Sequence, residues 1–114
     1  MAASHEPAVP FSVDVRASDA QTRFVLAGEL DIATADELGT QLEAAAIGAD
    51  GHLVIDLTAV TFMDSTGLRK LITAHREAEE HGYAFTIVTG ESPAKRVLEL
   101  TRMDGVLNAV ATLD

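Results

Sequence analysis

Residues 53–57 read L-V-I-D-L, a short run that is almost continuously apolar. Such a run is typical of a strand that is covered on both faces or lies at the centre of a sheet. One helical apolar pattern precedes this run and another follows it. Because strands joined through helices are normally parallel, with right-handed connections, the run predicts the central strand of an α/β sheet.

Further strands follow from apolar residues bounded by turns. The alternation of apolar and polar residues over residues 11–16 has the period of a half-buried strand. After a polar turn at residues 17–21, a second strand over residues 24–27 ends at Gly28, so the two strands predict an antiparallel hairpin. Residues 85–88 predict one more strand.

Three helices complete the pattern. The first begins near Thr34, and Thr34 and Glu37 have the spacing of a capping box, in which a hydroxyl and a carboxylate satisfy backbone donors reciprocally. The second begins within residues 64–66 and ends before Gly82, and the third begins at Ser92. The side chains predicted to face the core from the helices and from a short final element are Leu38, Leu42, Ala45 and Ala46, then Leu68, Leu71, Ile72, His75 and Ala78 or Glu79, then Val97 and Leu98, and last Met103, Val106, Leu107 and Val110.

The predicted element order is therefore β-β-α-β-α-β-α with a short end piece. This order defines an α/β fold on a mixed sheet, in which an antiparallel hairpin is followed by a parallel β-α-β-α-β part with helices packed against it. The length of 114 residues fits one domain. We expect that domain at residues 9–114, after a flexible N-terminal tail at residues 1–8.

The charge balance limits what this domain binds. The chain has 8 Lys and Arg against 18 Asp and Glu, a formal net charge of −10, and the acidic excess lies mainly in residues 1–64. A general nucleic-acid binder, or a protein that docks on an anionic membrane, needs basic residues. No stretch is apolar enough to span a bilayer, and the absence of Cys fits a reducing compartment. We therefore expect a cytoplasmic protein with no direct nucleic-acid or membrane binding, whose acidic surface is either simply solvated or steers toward a basic partner.

Two short stretches each lie between a predicted strand and the predicted helix that follows it. They are G-E-L-D at residues 28–31 and F-M-D-S-T-G-L at residues 62–68. Loops beyond the carboxyl ends of strands are where open α/β sheets meet ligands and partners. The two loops should lie close together if the strands before them are neighbours.

Ser65 lies in the first turn of the second predicted helix. The simplest role for it is a helix cap. The same position suits a phosphate, because free N–H groups and the positive end of the helix dipole favour negative charge. Glu29, Asp31 and Asp64 would oppose that phosphate by like-charge repulsion. A phosphate on Ser65 would therefore act mainly by spoiling a docking surface.

Other chemistry has little support in the sequence. Ser65 is a poor candidate for a nucleophile, because His75 is ten residues further along the same predicted helix, about 15 Å away. Asp56 and Asp64 lack the surrounding ligands of a cation site, and no phosphate-cradling glycine loop is present. We predict no catalytic residue, no metal and no cofactor.

The sequence resembles the STAS domains, and within them the anti-sigma factor antagonists, from about residue 10 to residue 112. The resemblance is carried by four motifs in order: G-E-L-D at 28–31, L-V-I-D-L at 53–57, V-T-F-M-D-S-T-G-L at 60–68, and S-P-A-K-R-V-L-E-L at 92–100. It implies a mixed sheet with helices packed against it, which agrees with the pattern above.

The resemblance also implies a switch at the D-S-[ST]-G motif, with phosphorylation at Ser65. In such antagonists the unmodified form binds an anti-sigma factor with a histidine-kinase-like ATPase fold, which is also a serine kinase, and frees the sigma factor. Phosphorylation ends the binding, and a serine phosphatase restores it. Asp64 would position the loop, Gly67 would allow a close backbone turn, and Thr66 stands where many relatives have a second Ser. The residues implied to form or border the partner surface are Glu29, Asp31, Asp64, Ser65, Thr66, Gly67 and Leu68.

Two functions from different classes follow. The first is a phosphorylation-controlled interaction switch with no activity of its own. The second keeps the fold but makes it a STAS sensor or small-ligand-binding scaffold in a larger signalling or transport assembly, with a pocket near residues 28–31. A hydrolase that uses Ser65 is a third class, which the distance to His75 disfavours. The sequence predicts no particular oligomeric state.

Overall fold

A five-stranded sheet, whose strands follow one another in chain order, organises the structure. The computed structural model describes residues 9–113, so the predicted tail at residues 1–8 lies outside the described residues. The elements are β1 (Ser12–Ala17), β2 (Thr22–Leu30), α1 (Ala35–Ala44), β3 (His52–Met63), α2 (Ser65–His81), β4 (Ala84–Val88), α3 (Pro93–Leu100) and β5 (Ala109–Val110).

The sheet is mixed, as the sequence predicts. β1 pairs antiparallel with β2, and β2, β3, β4 and β5 pair in parallel. β3 lies in the middle, and all of residues 53–57 are buried, which confirms the central strand. Parallel pairing places the carboxyl ends of β2 and β3 at the same edge of the sheet.

Two strands are longer than their apolar runs predict. β2 does not end at Gly28, because this buried residue has a φ of 88° and the strand continues through register irregularities to Leu30. A Cβ at Gly28 would lie 2.8 Å from the Cα of Phe11, so the site requires glycine for both conformation and space. β3 continues past residue 57 to Met63, because β2 alone pairs with its second half.

The helices bury one face each against the sheet. In α2 the fully buried residues include Leu71 and Ala78, whereas Glu79 is exposed, and the helix ends at Gly82 in the left-handed conformation as predicted. Leu68, Ile72 and His75 are half-buried, and Gly67 and Ala74 join the buried face although the sequence stripe omits them.

The inward faces of α1 and α3 agree only in part with the predictions. Leu38 is buried and Leu42 half-buried, but α1 ends at Ala44, so Ala45 is half-buried beyond it and Ala46 is exposed. Leu98 of α3 is buried and Val97 is half-buried.

The final segment forms the edge strand β5, which pairs with β4. Leu107 is buried and Met103 packs against the core, whereas Val106 and Val110 are exposed. The prediction was wrong for Val106 and Val110, because an edge segment with neighbours on one side leaves part of its side chains in solvent.

Candidate partner-binding site

The two loops singled out in the sequence meet at the carboxyl edge of the sheet. Leu30, the last residue of β2, is paired with Met63, the last residue of β3. The backbone N–H of Asp64 donates a hydrogen bond to the carbonyl oxygen of Leu30, with a distance of 3.3 Å between the two atoms. The predicted proximity of residues 28–31 and 62–68 is therefore confirmed.

Asp64 determines where α2 begins. Its backbone is extended, and its Oδ1 accepts hydrogen bonds from the N–H groups of Thr66 at 2.9 Å and Gly67 at 3.0 Å. These contacts satisfy two backbone donors that the first turn of a helix leaves without an internal partner. Asp64 is therefore the N-cap of α2, and its side chain fixes the loop relative to the helix.

Ser65 is the first residue inside α2, and its side chain is exposed. The prediction that Ser65 caps the helix was wrong, because the cap lies one residue earlier and uses the longer Asp64 side chain. Among residues 9–113, the Ser65 hydroxyl has no hydrogen-bond partner. The structure therefore presents this hydroxyl to solvent on a fixed helix end.

Gly67 brings the start of α2 directly against the end of β2. It is buried, and a Cβ built on it would lie 2.5 Å from the carbonyl oxygen of Leu30 and 2.8 Å from Leu30 Cγ. Real side chains do not approach so closely, so any other residue would push the two segments apart. The close backbone approach implied for Gly67 is a contact with a neighbouring strand.

On the other side of the site, Thr34 ties the turn after β2 to the strand itself. Its hydroxyl donates to the carbonyl oxygen of Glu29 at 2.7 Å and accepts from the N–H of Asp31 at 3.0 Å. The helix α1 consequently has no side-chain cap at its start, so the capping box predicted for Thr34 and Glu37 was wrong. The Asp31 Oδ1 accepts from the N–H of Ala33 at 2.9 Å, which fixes the turn further.

The predicted surface residues differ in exposure. Ser65 is exposed, whereas Glu29, Asp31, Asp64 and Thr66 are half-buried. Gly67 is buried, and Leu68 is half-buried with its side chain packed against the hydrophobic core. These last two residues therefore shape the surface from beneath.

The site is acidic around Ser65. Glu29, Asp31 and Asp64 come from the two loops that meet at this edge, while Arg69 and Lys70 follow one helical turn after Ser65. The Nζ of Lys70 lies over Gly39 of α1, 3.1 Å from where a Cβ would stand. The carboxylates therefore belong to the two loops at this edge, and the cations follow Ser65 along the helix.

Two large apolar side chains that the sequence analysis missed also lie at this edge. Ile32, in the turn after β2, is 77% exposed, and Phe62, next to the last residue of β3, is 48% exposed. For Phe62 the sequence shows only that it and Met63 are adjacent in a strand, so that one of the two faces away from the core, without showing which one.

The described residues offer little for metal or cofactor chemistry. The Arg23 guanidinium donates a hydrogen bond to Asp56 Oδ2, with 2.6 Å between the two atoms. The other oxygen, Asp56 Oδ1, accepts from the backbone N–H and the hydroxyl of Thr58. Burial alone would raise the pKa of Asp56, but the hydrogen bonds from Arg23 and Thr58 outweigh it and hold the pKa below its ordinary value. Within residues 9–113, no three His, Asp or Glu side chains gather in a way that would hold a metal ion.

His75 does not belong to the site. Its ring packs edge-on against Phe85, with 5.4 Å between the ring centres, and its Nδ1 lies 3.6 Å from a carboxylate oxygen of Glu79. This agrees with the sequence interpretation of His75 as a partly buried packing residue. Ser65 and His75 lie ten residues apart in α2, which places them about 15 Å apart along the helix axis, too far for His75 to act as a base on the Ser65 hydroxyl.

A cavity of about 70 Å³ opens between α1 and α2, away from residues 28–31. Leu42, Ile47, Leu53 and Ala74 contribute its apolar lining, and Glu43, Lys70, Thr73, Glu77 and Tyr83 add polar groups. Burial and the nearby charge of Glu77 raise the pKa of Tyr83. The volume suits a few water molecules or one side chain.

No helix of the described chain combines the length and the apolar character needed to cross a membrane.

Comparison with known proteins agrees with this fold. The family model described as "Mlab, STAS domain" matches residues 13–110. The anti-sigma-F factor antagonist RsfB of Mycobacterium tuberculosis is 32% identical over 106 residues, which cover 91% of this chain and 86% of RsfB.

Two solved structures are similar along most of the chain. A crystal structure of an anti-sigma factor antagonist from Mycobacterium paratuberculosis has a TM-score of 0.78 and 29% identity, covering 92% of this chain and 89% of that one. A crystal structure of a putative anti-sigma factor antagonist from Thermotoga maritima has a TM-score of 0.75 and 21% identity, covering 89% and 87% of the two chains, and supports the fold alone.

The mixed sheet, the three helices packed on it and the family match together define an α/β domain. The chain belongs to the STAS domain family. Two of the proteins to which this chain is similar, RsfB and the protein of the Mycobacterium paratuberculosis crystal structure, are anti-sigma factor antagonists.

Proposed function

We propose that this protein is an anti-sigma factor antagonist that works as a non-enzymatic switch. Its unphosphorylated form binds an anti-sigma factor and releases the sigma factor, and phosphorylation at Ser65 turns the binding off. The observation that carries the proposal is the exposed Ser65 hydroxyl on the capped start of α2, at the edge where β2 and β3 end together.

Accessibility favours Ser65 over Thr66 as the modified residue. A kinase must reach the hydroxyl, and Ser65 is exposed whereas Thr66 is half-buried. The N–H of Thr66 is also held by the Asp64 carboxylate, so the backbone at this residue is part of the cap. Ser65 is therefore the residue that accepts phosphate without disturbing the start of α2.

Charge explains how phosphate would end the binding. A phosphoserine carries about −1.5 to −2 charges at pH 7. The loop side of Ser65 already holds Asp31 and Asp64, so the modification concentrates negative charge on one edge of the sheet. A partner that buries this edge would have to remove water from the phosphate, which costs several kcal/mol for an ion without a new partner.

The relatives support an anti-sigma factor as the partner. RsfB is an antagonist of an anti-sigma-F factor by name, and we extend that role to this chain. The partner is an anti-sigma factor with a histidine-kinase-like ATPase fold that acts as a serine kinase, and a serine phosphatase reverses the modification. Glu29, Asp31, Asp64, Ser65, Thr66, Gly67 and Leu68 form or support the binding surface, which works in the cytoplasm.

Binding and labelling with purified anti-sigma factor kinases from the same genome test this proposal. We expect at least one kinase to bind the wild-type chain, and addition of ATP to place one phosphate on Ser65 and release the complex. Ser65→Ala should stay bound in ATP, and Ser65→Glu should bind about 10-fold more weakly or worse. Thr66→Val is the matched control and should still be phosphorylated. Phosphate mapped to another residue, or equal binding by the Ala and Glu variants, would contradict the switch.

One observation bears on the alternative of a small-ligand-binding scaffold. That hypothesis predicts a pocket near residues 28–31. None of these four residues lines the cavity of about 70 Å³ between α1 and α2, or the larger and more open depression of about 230 Å³ that includes Ala35, Thr66 and Arg69. Native mass spectrometry of the purified chain separates the two functions: a copurifying small molecule favours the scaffold, and bare or phosphorylated protein favours the switch.

A further inference from the structure

Two apolar side chains are exposed at the sheet edge that carries Ser65. Ile32 is 77% exposed and Phe62 is 48% exposed. A single exposed apolar residue is ordinary on a protein surface. Here one large apolar residue lies near the end of β3 and the other in the turn after β2, both beside one proposed binding site. Large aromatic or aliphatic side chains that fill a partner's pocket near the centre of an interface can act as its anchors.

The register of the sheet places these two residues at the same edge. Phe62 is paired with Glu29 across β2 and β3, and the next pair, Leu30 and Met63, is buried. Ile32 follows Leu30 by two residues in the turn toward α1. The hydrogen bond from the N–H of Asp64 to the carbonyl oxygen of Leu30 joins both segments immediately before Ser65.

Ile32 is held in a rigid turn. The carbonyl oxygen of Asp31 accepts from the N–H groups of Thr34 at 3.1 Å and Ala35 at 2.8 Å, and the Asp31 side chain accepts from Ala33. The backbone that carries Ile32 is thus fixed on both sides. A side chain on a fixed backbone loses less conformational entropy when a partner covers it.

Carboxylates accompany the two apolar side chains. Asp31 precedes Ile32 directly, and Asp64 follows Phe62 by two residues. A surface complementary to this edge needs an apolar pocket with basic residues around it. Such a partner would bury Ser65 along with its neighbours.

Resting on the proposed function, we propose that Ile32 and Phe62 are the apolar anchors through which the unphosphorylated protein binds its anti-sigma factor. The anti-sigma factor receives them in an apolar pocket bordered by Lys or Arg. Phosphate on Ser65 then prevents binding because the anchors cannot be buried without also dehydrating a charged group beside them. Ile32 and Phe62 supply the affinity, and the phosphorylation state of Ser65 determines whether the partner can bury them.

Titration calorimetry tests this assignment with the purified anti-sigma factor kinase that binds the wild-type chain without ATP. Ile32→Ala and Phe62→Ala should each weaken binding by about 10-fold or more. Leu100→Ala is the matched control, because Leu100 is 71% exposed on α3, and it should change binding by less than about 2-fold. All three positions are exposed, and circular dichroism checks that the variants are folded.

The outcomes separate this inference from the function on which it depends. If no anti-sigma factor binds the wild-type chain, the proposed function fails and the anchors fail with it. If the wild type binds and both anchor variants bind equally well, or if Leu100→Ala has the same effect, only the anchors are refuted. Sedimentation of the chain alone gives the last outcome: a dimer that Ile32→Ala and Phe62→Ala dissolve would assign this patch to a second copy and overturn the proposal.

Discussion

The two strand-to-helix junctions of the site look alike in sequence but are held by different contacts. At the β3–α2 junction, the Asp64 side chain accepts hydrogen bonds from the first turn of the helix that follows it. At the β2–α1 junction, the Thr34 hydroxyl instead donates back to the carbonyl oxygen of Glu29 in the preceding strand. The first set of bonds defines where a helix begins, and the second defines where a strand ends.

This difference matches what each junction carries. The capped helix α2 has 17 residues and presents Ser65 at its first position. The uncapped helix α1 has 10 residues, and the turn before it presents Ile32. The hydroxyl that we propose as the phosphorylation site therefore lies on the junction whose helix start is defined by side-chain capping.

The largest expected effect comes from separating the two junctions with Gly67→Ala. The added Cβ would meet the Leu30 carbonyl oxygen at 2.5 Å, so the start of α2 must move away from β2. We expect the free energy of unfolding in urea to fall by about 3 kcal/mol. The control Gly48→Ala has no atom within 4 Å of its new Cβ and should change stability by less than about 1 kcal/mol. Equal stability of the two variants would mean that the junctions are not in rigid contact.

A smaller effect is expected from removing the cap of α2. Asp64→Ala leaves the N–H groups of Thr66 and Gly67 without their acceptor and should lower the free energy of unfolding by about 1–2 kcal/mol. Asp64→Asn keeps an acceptor oxygen and should lose less. Thermal unfolding followed by circular dichroism measures both, and a loss that is no larger for Ala than for Asn would contradict the capping role.

The smallest effects distinguish the β2–α1 junction from a capping box. Thr34→Val removes the hydroxyl bonds to Glu29 and Asp31 and should cost about 1 kcal/mol, while Thr34→Ser keeps them. Glu37→Gln should change stability by less than about 0.5 kcal/mol, because α1 has no side-chain cap to which Glu37 belongs. If Glu37→Gln destabilised the chain as much as Thr34→Val, the result would support a capping box at the start of α1 and contradict the contacts described here.

The sequence predicts the parts of this site that depend on local pattern. The apolar run at residues 53–57 places β3 in the centre, and helical connections make its neighbours parallel, so the two loops had to meet at one edge. The positions of Gly82 and Ser92 at helix boundaries follow from backbone preferences of single residues. These features require no knowledge of distant contacts.

The features of the site that the sequence does not predict depend on contacts between segments that are distant in the chain. The Thr34 hydroxyl can bond to its own helix or to β2, and only the folded turn decides between them. The assignment of Ser65 as a cap failed by one residue, which changes a bonded side chain into an exposed one. Ile32 and Phe62 were missed because an apolar residue in a sequence gives no sign that its neighbours have already filled the core.

The chain-order arrangement of the sheet has a consequence for biosynthesis. Because each strand is hydrogen-bonded to the one before it, every strand that leaves the ribosome finds its neighbour already made. Pairing with sequence neighbours keeps loop-closure entropy low and favours rapid folding. The pairing of β2 with β3, which brings the two loops of the site together, needs no hydrogen bond from β4 or β5, whereas α2 completes its packing only when β4 is present, through the contact of His75 with Phe85.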